Sequence, residues 1–140
     1  MPLLALRPAL LVASVVLAGA GALPGPTLVV RIPFDFRAGE SRFGPGEYVI
    51  SLNTVSVRLE GRDRGPSVTI GARMSRAAGS GAVSAVSFRA YGDQRFLASV
   101  HAEGYAWELV PSAGERSASL HWGGGPTVLS LKAEAPSPSP

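Results

Sequence analysis

The stretch Gly44-Pro45-Gly46-Glu47-Tyr48-Val49-Ile50-Ser51-Leu52-Asn53-Thr54-Val55-Ser56-Val57-Arg58-Leu59 decides the fold class. Its first three residues are a turn: proline presets one dihedral of a type II turn and glycine supplies the positive φ of the next position. Tyr48, Ile50 and Leu52 then alternate with polar or smaller residues, and Val55, Val57 and Leu59 do the same. A loop at Asn53-Thr54 sets Leu52 against Val55, Ile50 against Val57 and Tyr48 against Leu59, so six apolar side chains share one face of a hairpin. A four-residue loop from Leu52 to Val55 keeps the same parity and relieves threonine of a positive φ.

The same period of two extends outward in both directions. Leu28, Val30, Ile32, Phe34 and Phe36 alternate with Val29, Arg31, Pro33 and Asp35, which predicts one half-buried strand. Pro33 has no N–H to give a ladder, so that strand belongs at a sheet edge or carries a bulge. Val68, Ile70 and Ala72 predict a further strand, and 76–81 reads as a small-residue loop. Arg62-Asp63-Arg64, between Gly61 and Gly65, reads as a solvated hairpin tip. A second hairpin runs over 82–91 and 95–102. A two-residue Gly92-Asp93 loop would mix its faces. A three- or five-residue loop instead sets Val86 against Val100, Phe88 against Ala98 and Ala90 against Phe96, and the odd-length loop is therefore expected. Residues 106–110 form a short strand inserting Trp107 and Leu109. Pro111 to Ser119 forms a helix of about two turns, weakened by Gly114. After Gly123-Gly124-Gly125-Pro126 comes a last strand over 127–131.

Seven or eight short, mostly antiparallel strands and one short helix predict an all-β fold, either a small sandwich or a barrel. Its boundaries are set by the ends of the chain. At the N-terminus one charge, Arg7, precedes an apolar run over 9–18, and the small residues Ala18-Gly19-Ala20 and Ala20-Gly21-Ala22 offer two cleavage boxes, so 1–22 reads as an export signal. The run is shorter than the roughly 20 residues that span a bilayer as a helix, so stable membrane insertion after cleavage is not expected. The mature chain then begins at Gly21 or Leu23, with a single β-domain over 23–133 and a disordered Pro/Ser tail over 134–140. The expected location is the periplasm or the cell exterior.

The chain has no cysteine, so neither disulfides nor thiolate metal sites are available, and an apolar core alone must hold an exported domain. About two-thirds of the surface of the unfolded chain can be buried at this length. Beyond the signal the basic residues are twelve against ten acidic ones and are scattered among them, which excludes nucleic acid as a partner.

Three motifs, Ile32-Pro33-Phe34-Asp35-Phe36, Gly44-Pro45-Gly46-Glu47-Tyr48 and Tyr91-Gly92-Asp93-Gln94-Arg95-Phe96-Leu97, with Glu108-Leu109, Ser112 and Glu115-Arg116 as a looser fourth, resemble a family of short exported proteins of Gram-negative soil bacteria. The family usually has leucine-proline-alanine-glycine before the tyrosine, where this chain has Phe43-Gly44-Pro45-Gly46. It is usually also more basic after the glutamate-leucine pair, where this chain has Val110-Pro111-Ser112-Ala113-Gly114. The resemblance implies export and a β-rich domain; it implies no activity.

No chemistry-bearing constellation emerges. A nucleophilic triad needs a base, and only His101 and His121 are available, neither in a recognised motif. His101 falls on the polar face of its strand, opposite Ala85. With Glu103 it shares a strand face, but a metal would need a third ligand. The carboxylate pairs Asp35 with Glu47 and Asp93 with Glu103 read as surface charge and turn chemistry rather than as a glycosidase pair, and Asp93 as the cap of its own turn. The triglycine at 123 leads into a strand, not into the helix a phosphate loop requires. No catalytic residue, metal or cofactor is therefore expected. The candidate site is a groove formed by Tyr91, Asp93, His101, Tyr105, Trp107 and Trp122.

Three functions follow as expectations. The leading one is a non-enzymatic envelope or secreted module acting by association with another protein through an edge strand or surface patch. The second is a barrel holding a small ligand in an unfilled interior. The third is a hydrolase using His101 or His121.

Overall fold

A computed structural model describes residues 24–62, 65–77 and 83–136. The predicted signal at 1–22, the hairpin tip at 63–64, most of the small-residue loop and the tail from 137 lie outside the described residues. Among the described residues ten strands and one helix follow in order: β1 (Pro24–Ile32), β2 (Phe36–Ala38), β3 (Ser41–Phe43), β4 (Gly46–Asn53), β5 (Ser56–Gly61), β6 (Ser67–Arg76), β7 (Ala85–Tyr91), β8 (Gln94–Ala102), β9 (Tyr105–Leu109), α1 (Ala113–Trp122) and β10 (Thr127–Lys132). The fold is all-β, as the periodicity predicts, and β2 and β3 are three-residue additions to the expected strands.

Hydrogen-bonded neighbours run β1-β4-β5-β6-β9-β8, after which β8 pairs with β7, β7 with β10, and Phe96 of β8 with Arg37 of β2. All pairings are antiparallel except β2 with β8. The sheet folds over a core because β6 serves two ladders: residues 67–71 pair with β5 and residues 72–76 with β9. Alternate residues from both ladders meet in one apolar cluster, including Ile32, Ile50, Leu59, Val86, Phe88 and Trp107. Phe34 and Phe36 meet Phe88 edge-on at 5.1 and 5.5 Å, the geometry that ring quadrupoles favour.

Several sequence expectations change in the structure. The strand expected over 28–36 is two strands: β1 ends at Ile32, Pro33 interrupts the ladder, and the chain crosses to begin β2 at Phe36. The alternation survives the break, since Phe34 still packs against the core. In the first hairpin the apolar face is as expected, but the register moves by two residues, pairing Leu52 with Val57 and Ile50 with Leu59. The cause is Asn53, whose Oδ1 accepts from the Val55 N–H, the Ser56 N–H and the Ser56 hydroxyl, making an Asx turn that leaves Val55 exposed.

The second hairpin uses the two-residue Gly92-Asp93 loop instead of an odd-length one, with Tyr91 opposite Gln94. Gly92 alone has a positive φ, 66°, the requirement at the first central position of a type II′ turn. Parity is restored by a bulge: Phe88 pairs with Leu97 and Ser87 with Ser99, leaving Ala98 as the extra residue. Val86 thus faces Val100 as expected, while Leu97 takes the core place expected of Ala98 and Phe96 passes to the opposite face with Tyr91 and Ala118.

The helix starts two residues later than expected and ends at Trp122. Ser112 is its N-cap, the hydroxyl accepting from the Glu115 N–H at 3.1 Å, and Gly123 ends it in the left-handed conformation. Beyond the last strand Glu134 is still ordered, bridging to Val29 one residue past the expected domain boundary.

Candidate functional site

The six residues of the expected groove fall into separate places: Trp122 meets the turn between Tyr91 and Asp93, and Tyr105 meets Trp107. Trp107 is a core residue, its indole N–H donating to the Asn53 carbonyl at 2.8 Å, and Tyr105 packs against the same core with its ring 6.3 Å from that of Trp107. His101 is half-buried opposite Ala85, on the strand position expected for it. Trp122 lies at the end of α1, its ring over Gly92 so closely that a Cβ there would sit 3.0 Å from the indole. Asp93 is exposed in the turn. None of the three clefts described below collects His101, Asp93 and the aromatics. Among the described residues neither histidine makes a hydrogen bond to an acid or a hydroxyl; the His121 Nδ1 contacts the Ser117 carbonyl of its own helix. Among the described residues no group of three His, Asp or Glu is placed to hold a metal. The interior is filled by side chains such as Phe88, Ile50 and Leu59, each 0% exposed, which removes the room a ligand-holding barrel would need.

Tyr91 belongs to a different arrangement. On the outward face of β7, under α1, the Glu115 carboxylate accepts from the Arg89 Nε–H, from a second Arg89 N–H at 3.3 Å and from the Tyr91 hydroxyl at 3.0 Å. Glu115 is the buried charged residue of the described core, 4% exposed, and three donors satisfy it there. Burial and then the bond to Glu115 raise the Tyr91 phenol above its ordinary value, and the bond to Glu115 raises the Arg89 guanidinium. The sequence carries one half of this signal, the Ser112-x-x-Glu115 capping box. The other half is hidden, because Glu115 turns away from the cap to a strand 24 to 26 residues earlier.

Two clefts lie at the rim of the sheet. The first, about 320 Å³, is formed where all three turn motifs converge and is lined by Asp35, Arg37, Arg42, Asp93, Gln94 and Arg95. A two-residue turn at Gly39-Glu40, with φ of 62° at Gly39, sets Arg37 and Arg42 directly opposite each other across β2 and β3. Arg37 lies over the Phe96 ring at 5.8 Å and Arg95 over Phe34 at 4.8 Å. The ion pairs among the described residues are Arg58–Glu60, Arg62–Glu47 and Arg89–Glu115, so none of these three arginines is within salt-bridge distance of a described carboxylate. Beside the cleft, burial and then Asp35 raise the Tyr48 phenol, whose hydroxyl donates to the Gly44 carbonyl.

The second cleft, about 380 Å³, lies along a seam between β1 and β10 and is lined by Arg31, Glu47, Arg62, Lys132, Glu134 and Pro136. One bridge crosses the seam: Val29 donates to the Glu134 carbonyl at 2.7 Å and accepts from its N–H at 3.0 Å. Two residues on, the register would pair Thr27 with Pro136, which has no N–H to donate. Two residues back it would pair Arg31 with Lys132, and the ladder holds no such pair. Among the described residues Thr27 and Arg31 therefore have no ladder partner on that edge, on either side of the bridge. A third groove, about 390 Å³ and mostly apolar, runs beside α1 past Tyr91, Pro111 and Leu120.

No family model, curated protein or solved structure matches this chain. Among the described residues no helix is long and apolar enough to cross a membrane.

Proposed function

We propose that this chain is an exported, non-enzymatic β-domain of the cell envelope that acts by association, taking an extended segment of another protein onto the free edge of β1. The observation that carries the reading is the seam. Among the described residues the nine-residue β1 pairs with β4 at Pro24 and from Thr27 to Ile32 on one side and has a single bridged residue on the other. Exposed edge strands are templates for pairing, and proteins ordinarily blunt them. Here the blunting is one residue, Glu134, flanked by a proline that stops the pairing from spreading. An incoming strand would bond Thr27 and Arg31 through its backbone and meet side chains of both signs, Arg31 and Lys132 beside Glu134 and the Arg62–Glu47 pair. Export rests on the signal-like residues 1–22.

Cross-linking in cells tests this. A photoreactive residue at exposed position 31 should yield a discrete adduct in the envelope fraction. Thr27→Pro, which removes an edge donor and leaves the β4 ladder intact, should abolish the adduct without changing the melting midpoint. Retention of the protein in the cytoplasm, absence of an adduct, or an adduct indifferent to Thr27→Pro would each overturn the reading.

A further inference from the structure

We propose that the cleft at the convergence of the three turn motifs binds an acidic saccharide, a sugar ring bearing a carboxylate. It shares no lining residue with the β1 seam. Its floor is a conflict built into the fold: Arg37 and Arg42 are paired directly across β2 and β3, where like charges repel. The Glu40 carboxylate lies near Arg37 beside Gly114 of α1, but among the described residues no carboxylate is within salt-bridge distance of either arginine. The repulsion is relieved by an anion between the two guanidiniums, whose forked donors match a carboxylate. Arg95, seated on the Phe34 ring, supplies a third cation on the opposite wall.

A bare anion would leave the rest of the cleft unexplained. Asp35, Asp93 and Gln94 line the same space, and two carboxylates beside an oxyanion are unfavourable unless the ligand brings donors for them. A sugar acid does so: its carboxylate faces the arginines and its hydroxyls donate to Asp35, Asp93 and the Gln94 carbonyl oxygen. At about 320 Å³ the cleft falls at the small end of ligand sites, the size of one or two rings. The geometry is held by backbone elements, the β2–β3 turn at Gly39 and the β7–β8 turn at Gly92.

NMR titration of the whole domain with D-glucuronate, with D-glucose and inorganic phosphate as comparators, decides it. The expected result is saturable shifts at Arg42, Asp93 and Gln94 with glucuronate, and affinity at least tenfold weaker for glucose and for phosphate. Arg42→Gln should weaken glucuronate binding at least tenfold while leaving the melting midpoint unchanged or higher, since it removes the like-charge pair. Asp93→Asn should weaken glucuronate and spare phosphate. Phosphate binding as tightly as glucuronate, glucose binding as tightly, an indifferent Arg42→Gln, or no saturable shift with any of the three would overturn the assignment.

Discussion

Glu115 shows how a single residue ties the helix to the sheet. Its backbone N–H is taken by the Ser112 hydroxyl, and its carboxylate by Arg89 and Tyr91 of β7. Glu115→Ala leaves a partly buried guanidinium and phenol without their acceptor and should cost about 2 to 3 kcal/mol, the range for hydrogen bonds to a charged group. Tyr91→Phe removes one of the three donors to that carboxylate and should cost about 1.5 kcal/mol, the low end for a hydrogen bond to a charged group. Because burial and Glu115 raise the Tyr91 phenol in the folded state, its contribution is whole below the ordinary tyrosine value and is lost as pH rises through the raised one. Tyr48, raised by burial and Asp35, acts in the same direction. Denaturant melts should therefore show stability falling on the alkaline side of about pH 10, with a shallower fall in Tyr91→Phe.

The β7–β8 hairpin carries the lesson at the level of elements. A bulge lets one strand serve two cores: Leu97 and Val100 face the main cluster, while Phe96 faces Tyr91 and Ala118 under α1. Phe88→Ala should cost about 3 to 5 kcal/mol, as deletion of a fully buried aromatic does. Phe96→Ala should cost less than Phe88→Ala, because its cluster is small and lies at the rim, and it should loosen α1, visible as altered Trp122 fluorescence. His101→Ala should stay within about half a kcal/mol. Equal losses in Phe88→Ala and His101→Ala would contradict the register. Alternation predicted both strands of this hairpin, but the bulge was not legible, because a Gly-Asp turn with a bulge and an odd-length loop restore the same parity.

For the molecule as a whole the seam is the weak point of closure. Glu134→Pro removes the N–H that bonds Val29 and should lower stability by about 1 kcal/mol while exposing more of the β1 edge. Hydrogen exchange should find the Val29 amide less protected in that variant and the amides of Ile50 and Leu59 unchanged. The same whole-chain view bears on export, since intact mass of secreted or periplasmic material should correspond to a chain lacking residues 1–20 or 1–22, and a product carrying Met1 would contradict it.

What the residues determined by themselves was the all-β class, the apolar faces of the strands and the presence of one short helix after Leu109, because these follow from a period of two and from glycine and proline at the breaks. Register was only partly legible, since Asn53 and Ala98 shifted it by local hydrogen bonding and by a bulge that leave the alternation intact. The tertiary structure alone decided which side chains meet. It sent Trp107 into the core beside Tyr105, set Trp122 over the Gly92 turn, and joined Glu115 to β7. It also brought Asp35, Arg42 and Arg95 to one cleft from three turns. Such meetings depend on how the shared strand β6 folds one ladder over the other, and a long-range closure of that kind leaves no periodic trace in the chain.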